Sequence, residues 1–252
     1  MKRILALLVC AAALLCVSAC GKEQAPGASE PGSSDGGHYG WMQTECSKES
    51  VKEFMAIIGG EVEGAGLLEG SKLDEEHCYN VTPERVAQET DIKIFKFSDS
   101  CATFALIDGG VFEICRSFGG WGFFNAVPWD YDKDGTTDLL IASSWGSGVH
   151  CSEISVFDCK TKTSKVIATS FDSDMFDNSE DWYADWFIDV QTPSLKTDDE
   201  ELSYVVYSAR VEPDEDMEYY GVKLFYSAKS CVGTIEVENG EPCFIPYEAK
   251  QG

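Results

Sequence analysis

The chain has 252 residues, 44% of them apolar and 12% aromatic. That is enough to fill the core of one folded domain, and it excludes a wholly disordered polymer. Its 44 Asp and Glu against 19 Lys and Arg give a formal net charge of −25, a surface that repels phosphate backbones and anionic headgroups. Nucleic acid is therefore not an expected partner, whereas cations are favoured; acidity alone assigns no site, because its ordinary role is solubility.

At the N-terminus, Lys2 and Arg3 precede an apolar stretch from Ile4 to Val17. The stretch is too short to cross a bilayer as a stable helix but fits the central part of a signal peptide. It ends in Val17-Ser18-Ala19-Cys20, which resembles the lipobox of bacterial lipoproteins: a branched apolar residue, two small ones and a cysteine. The resemblance implies that residues 1–19 are a signal peptide, cut before Cys20, and that the Cys20 thiol is diacylated. An ordinary secretory signal is the competing reading, since Val17 and Ala19 also suit a small-residue cleavage site. The cysteine that follows at once, and the polar stretch after it, favour the lipoprotein. Two or three acyl chains anchor a protein stably, so the expected place is the bacterial cell membrane, on its extracytoplasmic face. Losing the first nineteen residues leaves 17 Lys and Arg against 44 acids, a net charge of about −27.

Residues 20–40 form the lipidated Cys and a Gly-, Ser- and Pro-rich stretch read as a flexible tether. Residues 41–252 are roughly the size of one domain. In that domain Val51, Phe54, Met55 and Ile58 follow a helical period, with Ser47 as N-cap and Gly59 as C-cap. Thr82-Pro83-Glu84 predicts a short second helix, capped by Thr82 with the proline at its first position. Strands follow. Ile92 to Phe97 alternates Ile, Ile and Phe with Lys; Thr103 to Ile107 and Val111 to Arg116 flank Asp108-Gly109-Gly110, a hairpin signal. Further strands are predicted at Trp121 to Val127, Asp138 to Ser143, Ile154 to Phe157, Lys165 to Thr169, Ser203 to Val211 and Val222 to Ser227, with a last hairpin through Asn239-Gly240. The expected fold is mainly β, with α+β character at the N-terminus and antiparallel sheets. No convincing internal repeat is visible.

Eight cysteines remain once Cys10, Cys16 and Cys20 are set aside. An even number outside the cytoplasm permits disulfides, yet the spacing is not that of a tight framework. Cys101, Cys115, Cys159 and Cys231 lie in apolar, strand-like runs where Cys often acts as a small buried residue. A full disulfide set is not expected, and the absence of C-x-x-C leaves redox and zinc-ribbon readings without support.

One segment carries chemistry: Asp130-Tyr131-Asp132-Lys133-Asp134-Gly135-Thr136-Thr137-Asp138-Leu139. Carboxylates at loop positions 1, 3, 5 and 9 can converge on one point, the glycine at 6 permits a sharp turn, and the Thr136 carbonyl can supply position 7. Without a cation the carboxylates would repel one another. An all-oxygen shell of hard ligands selects calcium over transition metals, and a flexible loop favours it over magnesium. An EF-hand would need Glu at position 12 and a helix on each side, whereas Ile141 stands there and both flanks read as strands. The spacing instead resembles the Asp-x-Asp-x-Asp-Gly-x-x-Asp-Leu loop of FG-GAP and VCBS-type repeats. That resemblance implies that the loop joins two strands of a blade-like, propeller-type segment, with Asp130, Asp132, Asp134 and Asp138 as side-chain ligands and Thr136 as a carbonyl ligand. With Gly-rich turns at Phe118 to Gly122 and Trp145 to Gly148, the longer block Phe118 to Phe157 is similar to bacterial lipoproteins that carry a single such loop. One copy is present where a propeller of that family would have several, which argues against a closed propeller.

Other candidates are weaker. Phe171 to Val190 mixes Asp172, Asp174, Asp177, Asp181, Asp185 and Asp189 with Trp182 and Trp186, and could be a glycan platform; rings filling a core account for it more simply. His38, His77 and His150 are the only histidines, and no G-x-S-x-G elbow occurs, so nucleophilic catalysis has little support. The expectation is a non-enzymatic, lipid-anchored calcium-binding domain in binding or surface interaction, its partner an extracellular protein or glycan. The alternative is an extracytoplasmic hydrolase acting on glycans or cell-wall material.

Overall fold

The computed structural model describes residues 38–39, 48–59, 62–69, 78–97, 100–116, 122–146, 151–170, 184–191, 202–213 and 224–247. The signal segment, Cys20, Ser47, Trp121, Trp182, His77 and His150 lie outside them. Strand β1 (His38–Tyr39) and helix α1 (Lys48–Ile58) come first, then a 3₁₀ turn at Ala65–Leu68. A first sheet holds β2 (Cys78–Asn80), β3 (Lys93–Phe97), β4 (Ala102–Ile107) and β5 (Gly110–Arg116), with helix α2 (Glu84–Glu89) between β2 and β3. A second holds β6 (Gly122–Trp129), β7 (Asp138–Trp145), β8 (Cys151–Asp158) and β9 (Thr163–Thr169). The third holds β10 (Ala184–Gln191), β11 (Ser203–Pro213), β12 (Leu224–Glu238) and β13 (Glu241–Pro246). Every pairing is antiparallel; β2 to β5, β6 to β9 and β10 to β13 each follow chain order as a meander, none closed on itself, and β1 joins the third sheet out of order, beside β12. The fold is mainly β, as the patterning predicts. His38 and Tyr39, in the stretch read as tether, pair with Phe225 and Leu224 of β12.

The period of two along β3 and β4 divides the first sheet between two cores. Phe95, Phe97, Phe104 and Leu106 face α1, where Phe54 stacks on Phe95 with ring centroids 3.9 Å apart. Ile94, Ala105 and Ile107 face the other way, into a core shared with the second and third sheets. Val51, Phe54 and Ile58 of α1 are buried as the helical period predicts, and the Gly59 N–H closes the helix on the Met55 carbonyl at 3.1 Å. Two-sided cover also corrects the expected alternation. Lys96 does not point to solvent; it is 7% exposed, and burial lowers its ammonium pKa from the usual lysine value.

The second helix starts one residue later than its signal predicts. Pro83 is the N-cap, its carbonyl accepting the Ala87 N–H at 3.0 Å, and α2 opens at Glu84. The Thr82 hydroxyl is not a helix cap. It accepts the Ile94 N–H at 2.7 Å and donates to Asn80 Oδ1 at 2.6 Å, joining β2 to β3. Both predicted hairpins turn with two left-handed residues, Asp108 (φ 53°) and Gly109 (φ 79°), then Asn239 (φ 55°) and Gly240 (φ 83°). This backbone follows the right-handed twist of the strands it joins.

Cys115, Cys151, Cys159, Cys231 and Cys243 are thiols. Cys159 is buried as expected, but Cys101 is exposed, because it sits at the bend before β4 rather than inside a strand. Trp186 is fully buried in the shared core and stacks on Phe244, which identifies it as a packing residue rather than part of a platform. Polar groups tie the sheets together. The Asn125 amide donates to the Ile188 carbonyl (2.7 Å) and accepts the Ile188 N–H (3.2 Å), joining β6 to β10. Ser152 Oγ accepts the Trp186 N–H at 3.0 Å.

Candidate metal centre

Residues 130–137 link β6 to β7, the first and second strands of the second sheet, where Trp129 pairs with Asp138. The loop is folded by its own carboxylates. Asp130 Oδ1 and Asp132 Oδ1 both accept the Asp134 N–H, at 3.1 and 3.0 Å, while Asp130 Oδ2 accepts the Gly135 N–H at 3.1 Å. Asp134 Oδ1 accepts the Thr136 N–H at 2.7 Å. These bonds require two left-handed residues, Lys133 (φ 58°) and Gly135 (φ 83°). A Cβ on Gly135 would meet nothing within 4 Å, so the glycine is needed for its backbone angle and not for space.

The result is a group of three carboxylates, Asp130, Asp132 and Asp134, each offering an oxygen within 4.8 Å of the others. Such a group can hold a metal ion, and its donors are all hard oxygens. Asp138 lies outside the group. It begins β7, is 3% exposed, and its Oδ1 accepts the Cys159 N–H at 2.8 Å. Thr136 is half-buried in the turn, its N–H committed to Asp134.

Electrostatics separate the acids. Lys160, in the turn between β8 and β9, places its Nζ 2.6 Å from Asp134 Oδ2. With the Thr136 N–H, that ammonium holds the Asp134 carboxyl at about 2. Asp138 moves the other way, to about 6: burial disfavours its charge, Asp158, Asp132 and Asp134 add repulsion, and the Cys159 N–H opposes them. A cation among these groups would relieve the repulsion that raises Asp138.

Sequence patterning points to the acids but not to Lys160 or Cys159. Each lies more than twenty residues beyond the acid it touches, and the contact exists only because β7, β8 and β9 fold back on one another. Among the described residues no helix is long and apolar enough to cross a membrane. No family model, curated protein or solved structure matches the chain.

Proposed function

We propose that the chain is a lipid-anchored domain at the extracytoplasmic face of a bacterial membrane, that its β6–β7 loop binds one calcium ion, and that it acts in binding or surface interaction rather than catalysis. The observation that carries this reading is the convergence of Asp130, Asp132 and Asp134 at a strand-to-strand turn. Oxygen donors in a short, glycine-bent loop suit calcium better than magnesium, which demands near-ideal octahedral geometry. Asp138 and the Thr136 carbonyl are the further ligands, drawn in when the ion neutralises the cluster. The anchor rests on Val17-Ser18-Ala19-Cys20.

The ion's role is structural. Extracellular-type sites have dissociation constants of roughly 10⁻⁴–10⁻³ M. At millimolar calcium that adds about 0.4–1.4 kcal/mol by mass action, enough to raise the melting temperature by a few degrees. Thermal melts with calcium and with chelator should differ by that amount, and Asp130→Asn should abolish the difference. Identical melts, with no calcium found in the purified protein, would defeat the reading.

A further inference from the structure

A positive group already sits against the acid cluster. Lys160 Nζ lies 2.6 Å from Asp134 Oδ2, and the other oxygen of that carboxylate accepts the Thr136 N–H at 2.7 Å. The turn that carries the lysine is fixed by Asp158. Its Oδ1 accepts the Lys160 and Thr161 N–H groups, each at 2.8 Å, and its carbonyl accepts the Lys162 N–H at 2.8 Å. We propose that Lys160 is a built-in counter-ion of the β6–β7 loop, which a divalent ion must expel in order to bind, and that this exchange sets the calcium concentration at which the site fills. The proposal rests on the calcium reading and deepens it by naming what regulates the site.

The exchange follows from the donors around the acids. Both oxygens of Asp130 and Oδ1 of Asp132 accept backbone N–H groups, those of Asp134 and Gly135. Such an oxygen keeps a second lone pair for a metal ion, so these bonds hold the loop in shape with or without one. The ammonium is different. It carries a full charge, and within a few ångströms of a divalent ion the repulsion outweighs its one bond to Asp134. The Asp134 carboxylate beside it, with Asp132 and Asp158 farther off, holds Lys160 above the usual lysine range, so it stays charged wherever the acids are. Its side chain is 65% exposed, which leaves water to receive the ammonium once displaced. Lys162, two residues on, is engaged elsewhere: its Nζ lies 2.9 Å from Asp108 Oδ2, at the hairpin between β4 and β5.

The test is calorimetric titration of calcium chloride into the full chain in detergent, stripped beforehand with chelator. Lys160→Gln should bind calcium about threefold to tenfold more tightly than wild type, the scale of one exposed ion pair plus the repulsion removed. Lys160→Arg keeps the charge, and Lys162→Gln removes one from the same turn; both should stay within about twofold of wild type. A second measurement needs no variant. Acylation of Lys160 by an amine-reactive ester, followed by mass spectrometry, should run several-fold faster in calcium than in chelator, with Lys162 unchanged. Equal affinity of Lys160→Gln and wild type, an equal gain in Lys162→Gln, or Lys160 acylation indifferent to bound calcium would overturn the proposal and leave the calcium reading standing. No binding by either wild type or Lys160→Gln would overturn both. Binding by Lys160→Gln alone would support the counter-ion and defeat the calcium reading of the native loop.

Discussion

Asp138 concentrates the site's opposing demands in one side chain. With no cation in the β6–β7 loop its carboxyl is pushed up to about 6, well above the 3.8 of the unfolded chain. A raised carboxyl stabilises the fold fully below the unfolded value, where both states hold the proton. The contribution is lost as pH climbs through 6, because the folded chain must then charge a buried group. The loss is on the order of 2–3 kcal/mol. Asp134 cannot mask it, since its depressed pKa of about 2 places its own transition below this window. Urea unfolding in chelator from pH 4 to 8 should therefore show stability falling with pH, and Asp138→Asn should lessen that fall, leaving the part due to Glu153, whose carboxyl burial also raises. A wild-type profile as flat as the variant's would show that the buried acid is already neutralised by another group.

Between elements, Asn125 has an effect out of proportion to its size. It follows a bulge in β6 and meets both polar groups of Ile188 on β10, so a side chain completes bonds that a neighbouring strand would otherwise make. Asn125→Ala leaves a buried N–H and a buried carbonyl without those partners, at about 1–3 kcal/mol per group. A drop of about 2–4 kcal/mol in urea unfolding is expected, while Asn80→Ala should not uncouple the same sheets, because Asn80 bonds only locally to Thr82. Nothing in the sequence around Asn125 marks it, since its partner lies 63 residues away. Features legible in the sequence are those whose cause is local. The Asp108-Gly109 and Asn239-Gly240 turns depend on residues that tolerate positive φ, and the β6–β7 loop is folded by its own carboxylates. Strand β10 was hidden because Asp185 and Asp189 interrupt its apolar run, and Asp185 is nonetheless buried. Lys96 and Thr82 misled for the same reason: each serves a neighbouring strand or core and not its own segment.

For the whole molecule, charge bears on how the proposed membrane attachment would work. The mature chain would carry 17 basic against 44 acidic residues, so its surface is repelled by anionic headgroups and contributes no electrostatic attraction of its own. On the proposed anchoring, attachment would rest on the acyl chains at Cys20 alone, each buried methylene adding about 0.8 kcal/mol. Two consequences have opposite signs from those of a basic peripheral protein. High salt should not release the wild-type chain from membranes, because screening removes a repulsion and not an attraction; detergent should release it. Cys20→Ala should leave no intermediate binding, moving the chain wholly to the soluble extracytoplasmic fraction. Membrane fractionation of the two proteins, with labelled fatty acid to follow acylation, reads both outcomes. A Cys20→Ala chain that stays with the membrane and is washed off by salt would mean that a surface patch, and not the lipid, holds the domain in place.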